Sequence, residues 1–194
     1  MSASVSIDLK NLKKLGEDLE KACRTVCTVG IKDMKGANGV STQEYSVYLE
    51  YGWVQRVTPK QAGYLRGVSG VNVPIGATLS NPPRPFFRGT KEAEGEKWLK
   101  VLKNAVAHYQ TEDIFTAHQK ALNMIGLLAT QDIQQTLING GTSKMKFAKR
   151  SPLTQAILTG RANGHQSDGS GTTASAQAGN LSGMLVKSVG FEIE

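Results

Sequence analysis

Apolar residues recur along the chain at two spacings, one helical and one alternating, and these predict most of its elements. "SVSIDL", residues 4–9, alternates and predicts a short strand. Asp8 or Asn11 then caps a helix that places Leu12, Leu15, Leu19, Ala22, Cys23 and Val26 on one face. "VCTVGI", residues 26–31, is β-branched and runs into the turn-rich "KDMKGANG", which predicts a strand. In "STQEYSVYLEYGW", Ser41 or Thr42 with Gln43 or Glu44 supplies a helix start. Tyr45, Val47, Tyr48, Leu49 and Tyr51 then suit a short amphipathic helix stopped by Gly52.

From Gly52 to Pro85 no helical period is sustained. "WVQRVT" and "VNVPIGATL" look like strands, and the basic, glycine-containing "PKQAGYLRGVSG" lies between them. The segment 53–82 is therefore expected to be an extended hairpin arm or a long loop, a length that usually marks function. In "SNPPRPFFRG" each proline fixes its own φ and straightens the residue before it. This stretch is a stiff turn that delivers Phe86 and Phe87 into the base of a helix.

Two long helices follow. The first runs from Phe86 to Tyr109 with a core stripe of Leu99, Leu102, Ala105, Val106 and Tyr109. The second starts at Thr111, ahead of Glu112 and Asp113, and ends at Gly140-Gly141. Beyond the basic loop "TSKMKFAKR" and the segment "SPLTQAILTGR", residues 162–180 are nearly free of apolar side chains, which predicts a flexible insertion. "LSGMLVKSVGFEIE" reads as a short helix leading into a strand in which Val189, Phe191 and Ile193 alternate. The fold class is α+β: a small, mostly antiparallel sheet packed with two long helices. It forms a single domain over 1–194, with a projecting arm at 53–82 and an insertion at 162–180.

Composition adds partners more than fold. Hydrophobic residues make up 39% of the 194, enough for a core, and only 6% are aromatic, so that core is aliphatic. A formal net charge of +7 permits contact with nucleic acid or an acidic protein. The start "MSASVSIDLK" lacks a secretory pattern, and Cys23 and Cys27 read as small buried apolar groups in a reducing compartment. "MIGLLA", the longest apolar run, is far short of a membrane span, and no membrane partner is expected.

A search for chemistry finds little. "NGGTSK" lacks the order of a phosphate loop, and "GVSG" is not a nucleophile elbow. The cysteines have no second ligand pair, and His108, His118 and His165 are scattered. Glu92, Glu94 and Glu96 alternate with lysines, as on a solvated helix face. No catalytic, metal or cofactor-binding set emerges, and an enzyme is not expected. The arm does carry Trp53, Arg56, Lys60, Tyr64 and Arg66. That mixture serves protein interfaces, and nucleic-acid readers use a similar one.

Several segments in order resemble a known family. Val29-Gly30-Ile31, then Glu50-Tyr51-Gly52, then Pro83-Arg84-Pro85-Phe86 before a long helix, then Pro152-Leu153, and Leu185 to Ser188 before the last strand carry the likeness. Together they resemble the tail-completion and head–tail connector proteins of tailed bacteriophages, related to minor tail protein Z. The arm is longer than that pattern, and Thr159-Gly160 lies upstream of the insertion instead of directly before the last helix. The resemblance implies a structural protein of the virion neck, assembled in the host cytoplasm. It implies a ring of six subunits, or of twelve, between the head connector and the tail tube or tail terminator, with incidental DNA contact. The arm residues would face a neighbouring subunit or ring. The alternative reading is a basic nucleic-acid-binding protein that uses the arm and the loop at 144–150.

Overall fold

Local chemistry sets where the helices start and stop. In a computed structural model, which describes residues 9–35, 41–108, 113–156 and 183–194, the elements follow in a simple order. They are α1 (Leu9–Arg24), β1 (Cys27–Ile31), α2 (Thr42–Tyr51), β2 (Trp53–Arg56), α3 (Pro59–Ser69) and β3 (Thr78–Asn81). Next come α4 (Phe86–His108), α5 (Ile114–Asn139), a helical stretch α6 over 152–156, α7 (Met184–Ser188) and β4 (Val189–Ile193). Strands β1 and β4 form one two-stranded antiparallel sheet, and β2 and β3 form another, so the class is α+β. Most of the expected N-terminal strand, the expected cap at Thr111 and the insertion at 162–180 lie outside the described residues.

The chain divides into two compact units. The first comprises Met1–Gly30, Gly95–Thr130 and Gly190–Glu194. Its sheet is closed by a reciprocal pair, Val26 N–H to the Glu194 carbonyl at 2.8 Å and Glu194 N–H to the Val26 carbonyl at 3.0 Å. Its buried side chains are small: Ala22, Ala105, Ala117, Ala121 and Ala129, with Leu122. At Gly126 an added Cβ would fall 2.3 Å from Phe191, so the absence of a side chain there is what lets the Phe191 ring seat on α5.

Three expectations fail in this unit. Leu12, Leu15 and Leu19 are 58%, 42% and 45% exposed, so the apolar stripe of α1 buries only Ala22. Leu99 is also exposed, because the covered side of α4 in this unit runs through Trp98, Val101 and Ala105, away from it. Cys23 lies exposed beside the uncovered α1 stripe and Cys27 is half-buried, both as free thiols, and burial pushes the Cys27 thiol up.

The second unit, Ile31–Glu94 and Gln131–Val189, holds the larger core. Phe86, Leu137, Leu185, Thr90 and Ser188 are its fully buried side chains, joined by Leu49, Val57 and Ile133. Ser41 caps α2 by accepting the Gln43 N–H at 3.1 Å. The buried Thr42 hydroxyl donates to the Lys32 carbonyl at 2.7 Å and accepts the Met34 N–H at 2.9 Å. The Thr90 hydroxyl, on the second turn of α4, meets Thr136 near the end of α5 at 2.7 Å. Gly140 and Gly141, both at positive φ, end α5 and turn the chain so that the Phe147 N–H reaches the Gly140 carbonyl at 2.8 Å.

The segment 53–82 is not the extended arm or loop expected. Its ends pair as β2 and β3, in the register Trp53↔Asn81 to Arg56↔Thr78, but α3 fills the space between them. Thr58 and Gln61 form a capping box around Pro59, and Gly70 closes the helix in the left-handed conformation. Val57 and Leu65 are buried, so the segment packs a small core. Among the described residues no helix is long and apolar enough to cross a membrane.

Candidate functional site

Two stretches of the second unit meet at the start of α4. An α-helix leaves its first four N–H groups without intrahelical partners. Here the N-cap is Pro85, which has no N–H. The N–H groups of Phe86, Phe87 and Arg88 are all satisfied, and Gly89 makes the first regular i→i−4 bond. Phe86 N–H donates to the Arg84 carbonyl at 2.8 Å and Gly89 N–H to the Pro85 carbonyl at 2.9 Å. Between them, Phe87 N–H donates to Glu50 Oε2 at 3.0 Å and Arg88 N–H to Glu50 Oε1 at 3.1 Å. The buried Glu50 carboxylate thus sits at the positive end of the helix.

Arg88 closes the arrangement from the solvent side. Its Nε donates to Glu50 Oε1 at 3.0 Å and its Nη2 to the Glu50 carbonyl at 3.1 Å. Its guanidinium lies 4.6 Å from the centre of the Tyr51 ring. Gly52 then turns the chain at φ 72°, where an added Cβ would come within 2.6 Å of the Asn81 carbonyl oxygen and 2.8 Å of Pro83 N. Only glycine fits there.

Arg84 anchors the other side. It is 4% exposed, and its Nη1 and Nη2 donate to Asn81 Oδ1 at 2.6 Å and the Ala148 carbonyl at 3.3 Å, both neutral acceptors. Its Nε is buried without an acceptor among the described residues. Burial lowers Arg84 from the usual guanidinium value; Tyr45 opposes this and Arg150 adds to it. Burial pushes the Tyr45 phenol up, while Arg84 and Arg150 draw it back. Phe86 is fully buried, with its ring 4.8 Å from that of Phe87.

The residues of the resemblance therefore fall into groups. Glu50, Tyr51, Gly52, Pro83, Arg84, Pro85 and Phe86 form this one junction. Leu185 and Ser188 are buried on α7, and the Ser188 carbonyl accepts the Lys32 N–H at 2.7 Å. Pro152 begins α6 and is exposed, whereas Leu153 is half-buried. Gly30 lies in β1, where an added Cβ would meet nothing within 4 Å, so no close approach accounts for it.

The arm residues divide too. Trp53 is half-buried, while Arg56, Lys60, Tyr64 and Arg66 are exposed. Trp53 and Tyr64 share a groove of about 310 Å³ between the β2–β3 pair and α3, lined also by Leu65, Leu79, Gln55 and Leu153. Strand alternation puts Val54 and Arg56 on the other face of the hairpin, where Thr78 and Ser80 are exposed as well. In the loop at 144–150, Lys144 Nζ reaches the Glu92 carbonyl at 2.9 Å and Phe147 is buried.

One signal was in plain view in the sequence. Between Tyr51 and Lys91 there is no acidic residue, while Arg56, Lys60, Arg66, Arg84, Arg88 and Lys91 fall in that span. The bases are not evenly mixed with acids. Among the described residues no three His, Cys, Asp or Glu side chains come together as a metal site. Comparison of the chain with protein-family models, with curated proteins and with solved structures found no match.

Proposed function

We propose that this chain is a structural protein of a tailed-phage virion, a ring subunit at the head–tail junction that completes the tail and joins it to the head connector. The observation that carries the reading is the meeting of Glu50-Tyr51-Gly52 with Pro83-Arg84-Pro85-Phe86. Those motifs are separate in sequence, and their pairing at the start of α4 gives the resemblance a physical reason. Such a junction ties α2 to the start of α4 through Glu50 and Arg88, which suits a protein whose work is oligomeric fit. The arm residues Trp53, Arg56, Lys60, Tyr64 and Arg66 are the contact set toward a neighbouring subunit or ring, six subunits being the first choice and twelve the second.

The test is genetic complementation followed by imaging of lysates. A phage lacking this chain accumulates filled heads and separate tails, and supplying the chain restores joined particles. Complete particles in its absence overturn the proposal.

The acid-free run from Tyr51 to Lys91 favours a second reading, a nucleic-acid-binding protein that uses the arm and the loop at 144–150. That reading requires DNA binding at low micromolar affinity or better with a steep salt dependence. Weak, fully screened binding sends the choice back to the neck protein.

A further inference from the structure

The groove between the β2–β3 hairpin and α3 is lined by no charged side chain. Trp53, Tyr64, Leu65, Leu79 and Leu153 supply its apolar wall. Its three carboxamides are oriented by their neighbours. Arg84 offers only donors, so the Asn81 oxygen must face it, and Nη1 meets that oxygen at 2.6 Å. The Gln61 oxygen accepts the Thr58 N–H at 3.0 Å, and Gln61 Nε2 faces the Gln55 oxygen at 3.5 Å. Asn81 Nδ2 and Gln55 Nε2 remain as donors with no acceptor among the described residues. The groove therefore suits an uncharged, apolar occupant that brings acceptors.

The same part of the chain carries such a surface. Gly70 and Gly76, both at positive φ, bound the irregular stretch 71–75 between α3 and β3. Val71, Pro74 and Ile75 are exposed in it, Ile75 at 66%. The Pro74 carbonyl accepts the Ala77 N–H at 3.1 Å, but those of Val71, Asn72, Val73 and Ile75 meet no donor among the described residues. Residues 67–83 hold no charged side chain, in a chain of net charge +7. Copies of so basic a chain repel one another. An uncharged loop meeting an uncharged groove avoids setting base against base.

We infer that the groove of one copy takes the 71–75 loop of the next copy, with Ile75 as the anchor against Trp53 and Tyr64. Such aromatic residues concentrate binding energy at interfaces. The loop's unused carbonyls accept from Asn81 Nδ2 and Gln55 Nε2 in place of water. A nucleic-acid strand is the poorer occupant, because its phosphates need cations and none lines the groove. The contact joins two different surfaces of the same chain. A contact of that kind either closes into a ring or runs on as a filament, whereas a self-complementary patch stops at a dimer. It thus deepens the proposed ring function and rests on that reading for closure.

The experiment follows self-association of the concentrated full chain by sedimentation equilibrium. Ile75→Asp and Tyr64→Glu each weaken it about tenfold or more. Both positions are exposed, and an unchanged circular-dichroism melt shows that the variants fold. Mixed together, the two variants pair with the affinity of the parent and stop at two chains. One of them keeps the groove and the other keeps the loop, so only one good contact forms. Three results overturn the inference: a parent that stays monomeric, variants that associate as the parent does, or a mixture that fails to pair.

The two readings fail separately. If the contact is absent while the neck reading holds, both variants join heads to tails as well as the parent. If the neck reading fails alone, the copies associate and the variants behave as described, although the chain is dispensable for joining.

Discussion

The Glu50 carboxylate accepts the Phe87 amide N–H at 3.0 Å, and through this bond a residue on α2 holds the first turn of α4. The same carboxylate takes the Arg88 N–H and Nε, so three donors converge on it. Charge-assisted bonds of this kind are about twice as strong as neutral ones. Glu50→Gln keeps the size and one acceptor but loses the charge. It should cost about 2–4 kcal/mol in urea unfolding. A loss below about 0.5 kcal/mol would mean that the junction is held by something else.

Gly52 makes an independent check of the same junction. Gly52→Ala combines a left-handed φ of 72° with a Cβ at 2.6 Å from the Asn81 carbonyl oxygen. The expected cost is about 2–4 kcal/mol, seen as a lower melting temperature. Gly95, whose Cβ would meet nothing within 4 Å, is the control. Gly95→Ala should stabilise α4 slightly or leave it unchanged.

In the first unit, Gly126→Val should be destabilising because its side chain collides with the Phe191 ring. Phe191→Ala removes the obstacle. The double variant should therefore lose less than the sum of the singles, by about 1 kcal/mol or more. Strict additivity would show that the ring is not seated on α5.

Asp113 gives the pH dependence. Its carboxyl is held below the usual carboxylate range chiefly by hydrogen bonding from Thr116, whose N–H donates to Oδ1 at 2.8 Å. A depressed folded-state value means that the cap contributes above the unfolded value and is lost as pH falls through the folded one. Exchange of the Thr116 amide should thus speed up as pH falls through the acid side of the carboxylate range, after correction for intrinsic exchange. Asp113→Asn should keep a cap and flatten that dependence. A Thr116 amide equally protected at every pH in the parent would contradict the assignment.

Much of this architecture was legible because it is local. The Ser41 cap, the Gly52 stop, the start of α4 at Phe86 and the Gly140-Gly141 stop each need only a few neighbouring residues, and each falls where the pattern puts it. Helix α3 was missed for a local reason too. Gly63 and Gly67 weaken its helical period, yet Thr58-Pro59 with Gln61 three residues after the cap was a readable start signal. The exposure of Leu12, Leu15, Leu19 and Leu99 was not legible, because a periodic stripe says which residues share a face and not whether anything covers it. Nor does spacing alone link Glu50 to an amide 37 residues away. Only the order of motifs in the resemblance hinted that those stretches belong together.

The most direct test of the neck assignment is the mass of the purified chain in solution, alone and after mixing with phage tails that lack it, followed by imaging of the tails. The account predicts a closed ring at the head-proximal end of the tail, with a mass that is a sixfold or twelvefold multiple of the 20.8 kDa subunit. A chain that leaves such tails bare, or that binds along their length without closing a ring, contradicts it.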